Sequence, residues 1–230
     1  MRPVASFIRF ASVCCFLSVI TTLGIHLWFP EPSADFELRI LLFKNSVYLI
    51  NRWWVIAHCL LVIISMWGVA VLLLRQASGF APLGFLFFAV FAIAEITRQM
   101  YVLMYINSLR QQYFVATDST VKEVLKNALS TAGLQTAPLF GVFVLAFGLG
   151  NLFYGLAMFK KGGFTRLLSV LLILWATANF LALGNEFWDV SSLSSILEKF
   201  SYTYQPLVRL LIATWLWQKA TYIQRQMQFS

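Results

Sequence analysis

Residues 79–106 read GFAPLGFLFFAVFAIAEITRQMYVLMYI, twenty-eight positions with only Glu95 and Arg98 charged. A helix on the surface of a soluble protein keeps one polar face, whereas this stretch is apolar almost all round. At about 1.5 Å per residue it exceeds the roughly 20 residues that cross about 30 Å of hydrocarbon. Five further apolar runs, at 7–29, 53–74, 137–159, 167–188 and 204–222, have spanning length. The chain therefore reads as an all-α integral membrane bundle of six transmembrane helices, forming one transmembrane domain over residues 1–230.

Composition agrees with that reading. Hydrophobic residues make up 60% of the chain and charged residues only 11%, against about a quarter charged in soluble domains. So few charges cannot cover the surface of a soluble fold. The net charge of +8 sits on residues that flank the apolar runs, where anionic lipid headgroups are the natural counter-charge. No basic block with interleaved aromatics stands in a polar context, which excludes a nucleic-acid partner. Cys14, Cys15 and Cys59 contain no CxxC and are odd in number, so they read as small apolar packing residues.

Arg2 and Arg9 ahead of an apolar stretch resemble a signal peptide. The run is too long for one, and no small-x-small site precedes Pro30, so a retained helix is expected. Orientation follows loop charge. Arg2, Arg9, Arg75, Lys160, Lys161, Arg166, Lys219 and Arg225 fall on one side. Arg39, Lys44, Arg52, Arg110, Lys122, Lys126 and Lys199 are spread over more than twice that loop length on the other. The denser side is cytoplasmic by the positive-inside rule. That places both termini in the cytoplasm of a plasma (inner) membrane protein.

Two outer connections carry helical patterns. Residues 31–51 hold Phe36, Ile40, Leu41, Phe43 and Val47, with Ser33 as the expected N-cap. Residues 117–129 hold a Val121, Val124, Leu125, Ala128, Leu129 stripe, capped by Asp118 or Ser119. Both read as short interfacial helices on the outer side. Trp28, Trp53, Trp54, Tyr101, Tyr105, Trp188, Tyr202 and Tyr204 gather at the outer ends of the runs, and Trp215, Trp217 and Tyr222 at the inner end of the last. They form an interfacial belt.

In the fourth run Gly141, Gly148 and Gly155 recur every seven residues, with Asn151 beside them. Such a row is a packing seam for a neighbouring helix backbone. Ala178 and Ala182 offer a similar face on the fifth run. Ionisable residues in hydrocarbon are costly and mark ligand sites or buried ion pairs. Glu95 and Arg209 lie at matching depth and are expected to pair, bringing the third and sixth helices into contact. Arg98 sits about one turn further out, with Glu186 and Asn185 as its expected partners. His26 and His58 also match in depth, but two histidines lack the third ligand of a catalytic zinc site. No cofactor is expected, and haem or metal at this pair is the minor reading. These residues, with Asn179, all fall in the outer half. They make either an outward polar cavity or a register-fixing ion-pair network.

The stretch FGLGNLFYGLAMFKKGGFTRLLSVLL, residues 147–172, resembles the signature of an uncharacterised bacterial multi-pass membrane family, known only as a domain of unknown function. Lys160, Gly162 and Arg166 match its Lys-Ser-Gly-Phe-Leu-Pro-Arg-like turn. Lys161, Gly163 and Thr165 depart from it, as does Ser169 where glycine is usual. The resemblance implies a six-helix bacterial inner-membrane protein and no catalytic residues.

Three readings of function follow. The first is a bundle that binds or transports a small or lipid-like ligand in an outward polar cavity, with membrane lipids as its partners. The second is an accessory subunit of a larger membrane complex, in contact with other membrane subunits. An intramembrane enzyme comes last, because no paired acids, nucleophile set, phosphate loop or metal triad is present.

Overall fold

The structure, a computed structural model, describes residues 2–29, 33, 35–188 and 190–226. Among the described residues there is no strand. The elements are α1 (Arg2–Leu27), α2 (Phe36–Ile40) followed by a 3₁₀ turn (Leu41–Lys44), α3 (Ser46–Leu73) and α4 (Phe80–Tyr101). A π turn (Val102–Ile106) leads on to α5 (Asn107–Val115), α6 (Ser119–Phe159), α7 (Gly163–Trp188) and α8 (Ser191–Gln226). Five helical stretches are long and apolar enough to cross a membrane: Val4–Ile25, Ser46–Leu73, Phe80–Val115, Ser119–Phe159 and Gly163–Glu186. Such a set suits a multi-pass protein embedded in a membrane. The sixth long helix, α8, carries Lys199, Arg209 and Lys219 with Gln205 and Gln218 between them, which dilute its apolar stretch.

The long helices close into a ring in chain order. Neighbouring packing runs α1 on α3, α3 on α4, α4 on α6, α6 on α7 and α7 on α8, and α8 returns to α1. In hydrocarbon, helices associate through close packing and buried hydrogen bonds rather than through release of water. The closing seam uses both. Ser12 Oγ donates to the Ala213 carbonyl at 2.7 Å and Cys15 Sγ to the Arg209 carbonyl at 3.2 Å. Further hydrogen bonds join α6 to α3 across the ring and α8 to its neighbour α7. The Tyr154 hydroxyl of α6 donates to the Met66 carbonyl of α3 at 2.7 Å, beside Gly84, whose missing side chain makes room for the tyrosine ring. Trp215 Nε1 donates to Thr165 Oγ1 and the Tyr204 hydroxyl to the Leu171 carbonyl. Trp215 is thus buried in the bundle core rather than placed in an interfacial belt.

The second expected interfacial helix is not a separate element. Residues 119–129 are the first turns of α6, a single helix of 41 residues. At about 1.5 Å per residue α6 is twice as long as the hydrocarbon is thick. The segment between the stripe and the apolar run, Ser130 to Thr136, contains one weak breaker, Gly133, and no proline, so nothing interrupts the helix. Pro138 lies inside the helix. α5 likewise extends α4 through the π turn. Together α5 and the start of α6 form a helical projection whose own core joins Val102, Ile106 and Leu109 to Leu125, Ala128, Leu129 and Ala132, with Tyr48 and Leu42 packed beneath. In the other patterned connection, residues 36–44 form α2 and its 3₁₀ turn, while Val47 belongs to α3. The N-cap of α2 is Asp35, which accepts from Leu38 N at 2.9 Å; Ser33 instead accepts from Asp35 N. The turn into α7 needs Gly163, whose φ of +59° suits only a residue without Cβ.

The projection starts at Asp118, which accepts hydrogen bonds from Thr120 N at 2.7 Å and Val121 N at 3.3 Å. These amides hold its carboxyl below the ordinary carboxylate value. A depressed folded-state pKa gives stability that is complete above the unfolded value of about 3.9 and is lost as pH falls through the folded value. Protection of the first turns of α6 against hydrogen exchange, measured relative to the intrinsic rate at each pH, should therefore fall in acid. The acid-induced fall should shrink in Asp118→Asn. Identical acid responses in the two proteins would remove Asp118 as the source.

Candidate functional site

The most polar interior region lies at the projection end of the ring, where α4 faces α3. Glu95 and Gln99 are one helical turn apart on α4, and both are buried. Glu95 holds Arg98 in a two-point ion pair, with Nε to Oε2 at 2.8 Å and NH2 to Oε1 at 2.7 Å. Gln99 Nε2 donates to Glu95 Oε1 at 2.6 Å, and Gln99 Oε1 accepts from Arg52 NH1 of α3 at 3.1 Å. The result is a four-residue relay, Arg52–Gln99–Glu95–Arg98, across two helices.

A second basic group adjoins it. Arg52 lies over the Tyr48 ring at 4.5 Å and Arg110 of α5 lies over the same ring at 5.3 Å. Arg110 NH1 also donates to the Tyr48 hydroxyl at 3.1 Å and to Asn107 Oδ1 at 2.8 Å. Arg98 and Arg110 both repel Arg52, and Arg52 Nε is buried without a hydrogen-bond partner. One carboxylate thus serves a chain of three arginines, Arg98 on it directly, Arg52 through Gln99 and Arg110 beyond the Tyr48 ring, with a net charge of +2. Beside Arg110 a cavity of about 290 Å³ is lined by Phe36, Arg39, Ile40, Ile106 and Leu129 among others. It joins a basic wall to an apolar one.

The expected pairing of Glu95 with Arg209 is not formed. Glu95 turns toward α3 and takes its partners from its own helix, while the guanidinium of Arg209 has no hydrogen-bond partner at all. Nor do the third and sixth spans pack together: α4 packs on α3 and α6, and α8 on α1 and α7. Equal depth is a statement about position along the axis. Rotation about the axis, which sets where each side chain points, came out differently for the two helices. The expected partners of Arg98 are likewise elsewhere. Glu186 is exposed at the end of α7, and Asn185 Oδ1 accepts from Val190 N at 3.1 Å.

Asn179 Nδ2 donates back to the Trp175 carbonyl, and Asn151 Nδ2 to the Phe147 carbonyl, with Asn151 Oδ1 buried and unpartnered. The heptad glycines differ from one another. Gly148 sits under the Phe180 ring, Gly155 lies against the α7 backbone at Ser169 and Ile173, and Gly141 meets open space. Gly150, outside the heptad, accommodates Phe88 of α4. His58 Nδ1 lies 2.7 Å from Thr21 Oγ1. The His26 side chain falls outside the described residues. No group of three or more metal-ligating side chains occurs among the described residues.

Arg52, Gln99, Tyr48 and Arg110 were absent from the sequence candidates. Two spacings signalled the first three: Gln99 follows Glu95 by four, and Arg52 follows Tyr48 by four, so each pair shares a helix face. Compared with protein-family models, with curated proteins and with solved structures, the chain gives no match. The likeness of residues 147–172 to a membrane family remains a likeness of those residues alone.

Proposed function

We propose that the chain is a six-span inner-membrane protein, with both termini cytoplasmic, that binds a small or lipid-like ligand with an anionic head from the outer side. The observation that carries this is the chain of Arg98, Arg52 and Arg110, linked through Gln99 and the Tyr48 ring, in which Glu95 is the one carboxylate they share. An uncompensated cation near hydrocarbon is costly, and an anionic group is the economical remedy. The adjoining cavity, apolar on one side and basic on the other, suits an amphiphile. Support for α8 as the sixth span is its pattern of Val208, Ile212, Ala213, Leu216 and Ala220 turned inward, with Leu207, Leu210 and Trp217 turned outward. A helix apolar on both its faces belongs in lipid.

The test uses the full-length protein in mild detergent, titrated with short-chain phosphatidylglycerol, phosphatidylcholine and glycerol phosphate. Phosphatidylglycerol should bind at least about ten-fold tighter than phosphatidylcholine, and Arg110→Gln should weaken it by about ten-fold, which is about 1.4 kcal/mol. Glycerol phosphate binding as well as the lipid would make the ligand a small one. Equal affinity for the two lipids, with no glycerol phosphate binding, would sink the proposal.

One observation favours a role as a subunit of a larger complex. Val115, Val121 and Val124 are exposed together around the tip of the projection, Val115 at 67% and Val124 at 63%. Exposed apolar patches of this kind mark contact surfaces. A stoichiometric partner retained in mild detergent, and lost in Val124→Glu, is the expected sign. A monodisperse monomer with no partner argues against it.

A further inference from the structure

The ring contains a second cationic position that the arginine cluster does not reach. Arg209 of α8 is completely buried, and its Nε, NH1 and NH2 all lack a hydrogen-bond partner. Its guanidinium lies between two aromatic rings, 5.8 Å from Phe147 of α6 and 5.5 Å from Trp175 of α7, which meet edge to face at 4.9 Å. The rings satisfy the charge through their faces. They do nothing for the five N–H donors in the guanidinium plane. The nearest ionisable neighbours, Cys15 and Cys59, are buried thiols, and Cys15 donates to the Arg209 backbone carbonyl instead of accepting from the side chain.

A buried guanidinium with no acceptor requires a counter-charge. We propose that Arg209 holds a small monovalent anion at the centre of the ring. One cation balances one charge, and no second cation is in contact with it to receive a divalent ion. The surroundings are apolar and tightly closed, with Cys15, Val208 and Ile212 fully or almost fully buried. That favours weakly hydrated ions of one or a few atoms, such as bromide or nitrate, over fluoride or sulfate. The site is distinct from the one proposed at Arg52 and Arg110: Arg209 meets Cys15, Phe147 and Trp175 of α1, α6 and α7, whereas Arg52 and Arg110 meet at the Tyr48 ring.

The test compares thermal unfolding of the full-length protein in gluconate buffer as bromide, nitrate, fluoride or sulfate is added at constant ionic strength. Bromide and nitrate should raise the Tm saturably, and fluoride and sulfate should not. Arg209→Met should fold, since an apolar side chain of similar length replaces a buried charge without leaving one unpaired, and should lose the bromide response. Arg209→Lys should retain it with affinity lowered about ten-fold. An equal bromide response in Arg209→Met, or no saturable response in the wild type, overturns the proposal. Where Arg209→Met fails to fold, bromide anomalous scattering from wild-type crystals decides the matter. A peak within about 3.5 Å of the guanidinium supports the site, and its absence there rejects it.

Discussion

Gly155→Leu is expected to separate α6 from α7 and to destabilise the bundle by several kcal/mol. A Cβ at this position would stand 3.1 Å from the Ser169 carbonyl oxygen and 3.3 Å from Ile173 N, both backbone atoms, as well as 2.6 Å from Ile173 Cγ1. The isoleucine can rotate, but the backbone cannot move without carrying α7 with it. The displacement would also break the 2.6 Å hydrogen bond from Ser169 Oγ to the Gly155 carbonyl. Overpacking alone costs about 1–3 kcal/mol, and a four-carbon side chain pressed on backbone exceeds that range. Gly141 provides the contrast. Nothing lies within 4 Å of a Cβ there, so Gly141→Ala should be neutral or stabilising by up to about 1 kcal/mol through helix propensity. Denaturant unfolding in detergent reads both. Equal losses at the two positions would mean that the row acts as one seam.

Glu95→Ala carries the second large effect, an expected loss of about 3–5 kcal/mol. The carboxylate is the common acceptor of Arg98 and Gln99, and through Gln99 it orients Arg52. Removing it leaves a buried amide and a guanidinium without their acceptor. The Arg98 side chain is 25% exposed, so it retains part of its hydration and places the expected loss toward the lower end. Glu95→Gln keeps one acceptor oxygen and should fall between the wild type and Glu95→Ala. In a double-mutant cycle, Glu95→Leu with Arg98→Leu should recover most of the stability, because the pair then leaves together. Strict additivity of the two single losses would show that the ion pair contributes nothing of its own. The same variants separate structure from ligand binding. Glu95→Gln adds to the excess positive charge, so phosphatidylglycerol should bind it at least as tightly as the wild type where the arginines form a ligand site, whereas loss of stability with no phosphatidylglycerol binding in either protein marks a structural pair.

Much of the architecture was legible because it depends on local chemistry. Runs such as 79–106 and 53–74 are apolar over spanning length, and hydropathy is a property of the residues themselves. Asp118 was readable as a cap, since a carboxylate ahead of a helical stripe meets free amides wherever that helix lies. Depth was also legible, because rise per residue is fixed: Glu95, Arg98 and Arg209 are interior positions of their helices. What only the tertiary structure decided is rotation and continuation. Each residue turns a helix by about 100°, and the final orientation is set by which neighbours the ring supplies. Glu95 therefore faces Arg98, Gln99 and α3, while Arg209 sits between Phe147 and Trp175. The stripe from Val121 to Leu129 became part of α6 because nothing breaks the helix after Leu129, and α5 with Tyr48 covers its Leu125, Ala128 and Leu129 while Val121 and Val124 stay exposed. A pattern that marks an amphipathic face does not say whether lipid or protein will cover it. Sequence alone thus determined helices long and apolar enough to cross hydrocarbon, with charged residues along them. Which charges meet, and that Arg209 meets no acceptor of the protein, followed from the packing of helices distant in the chain.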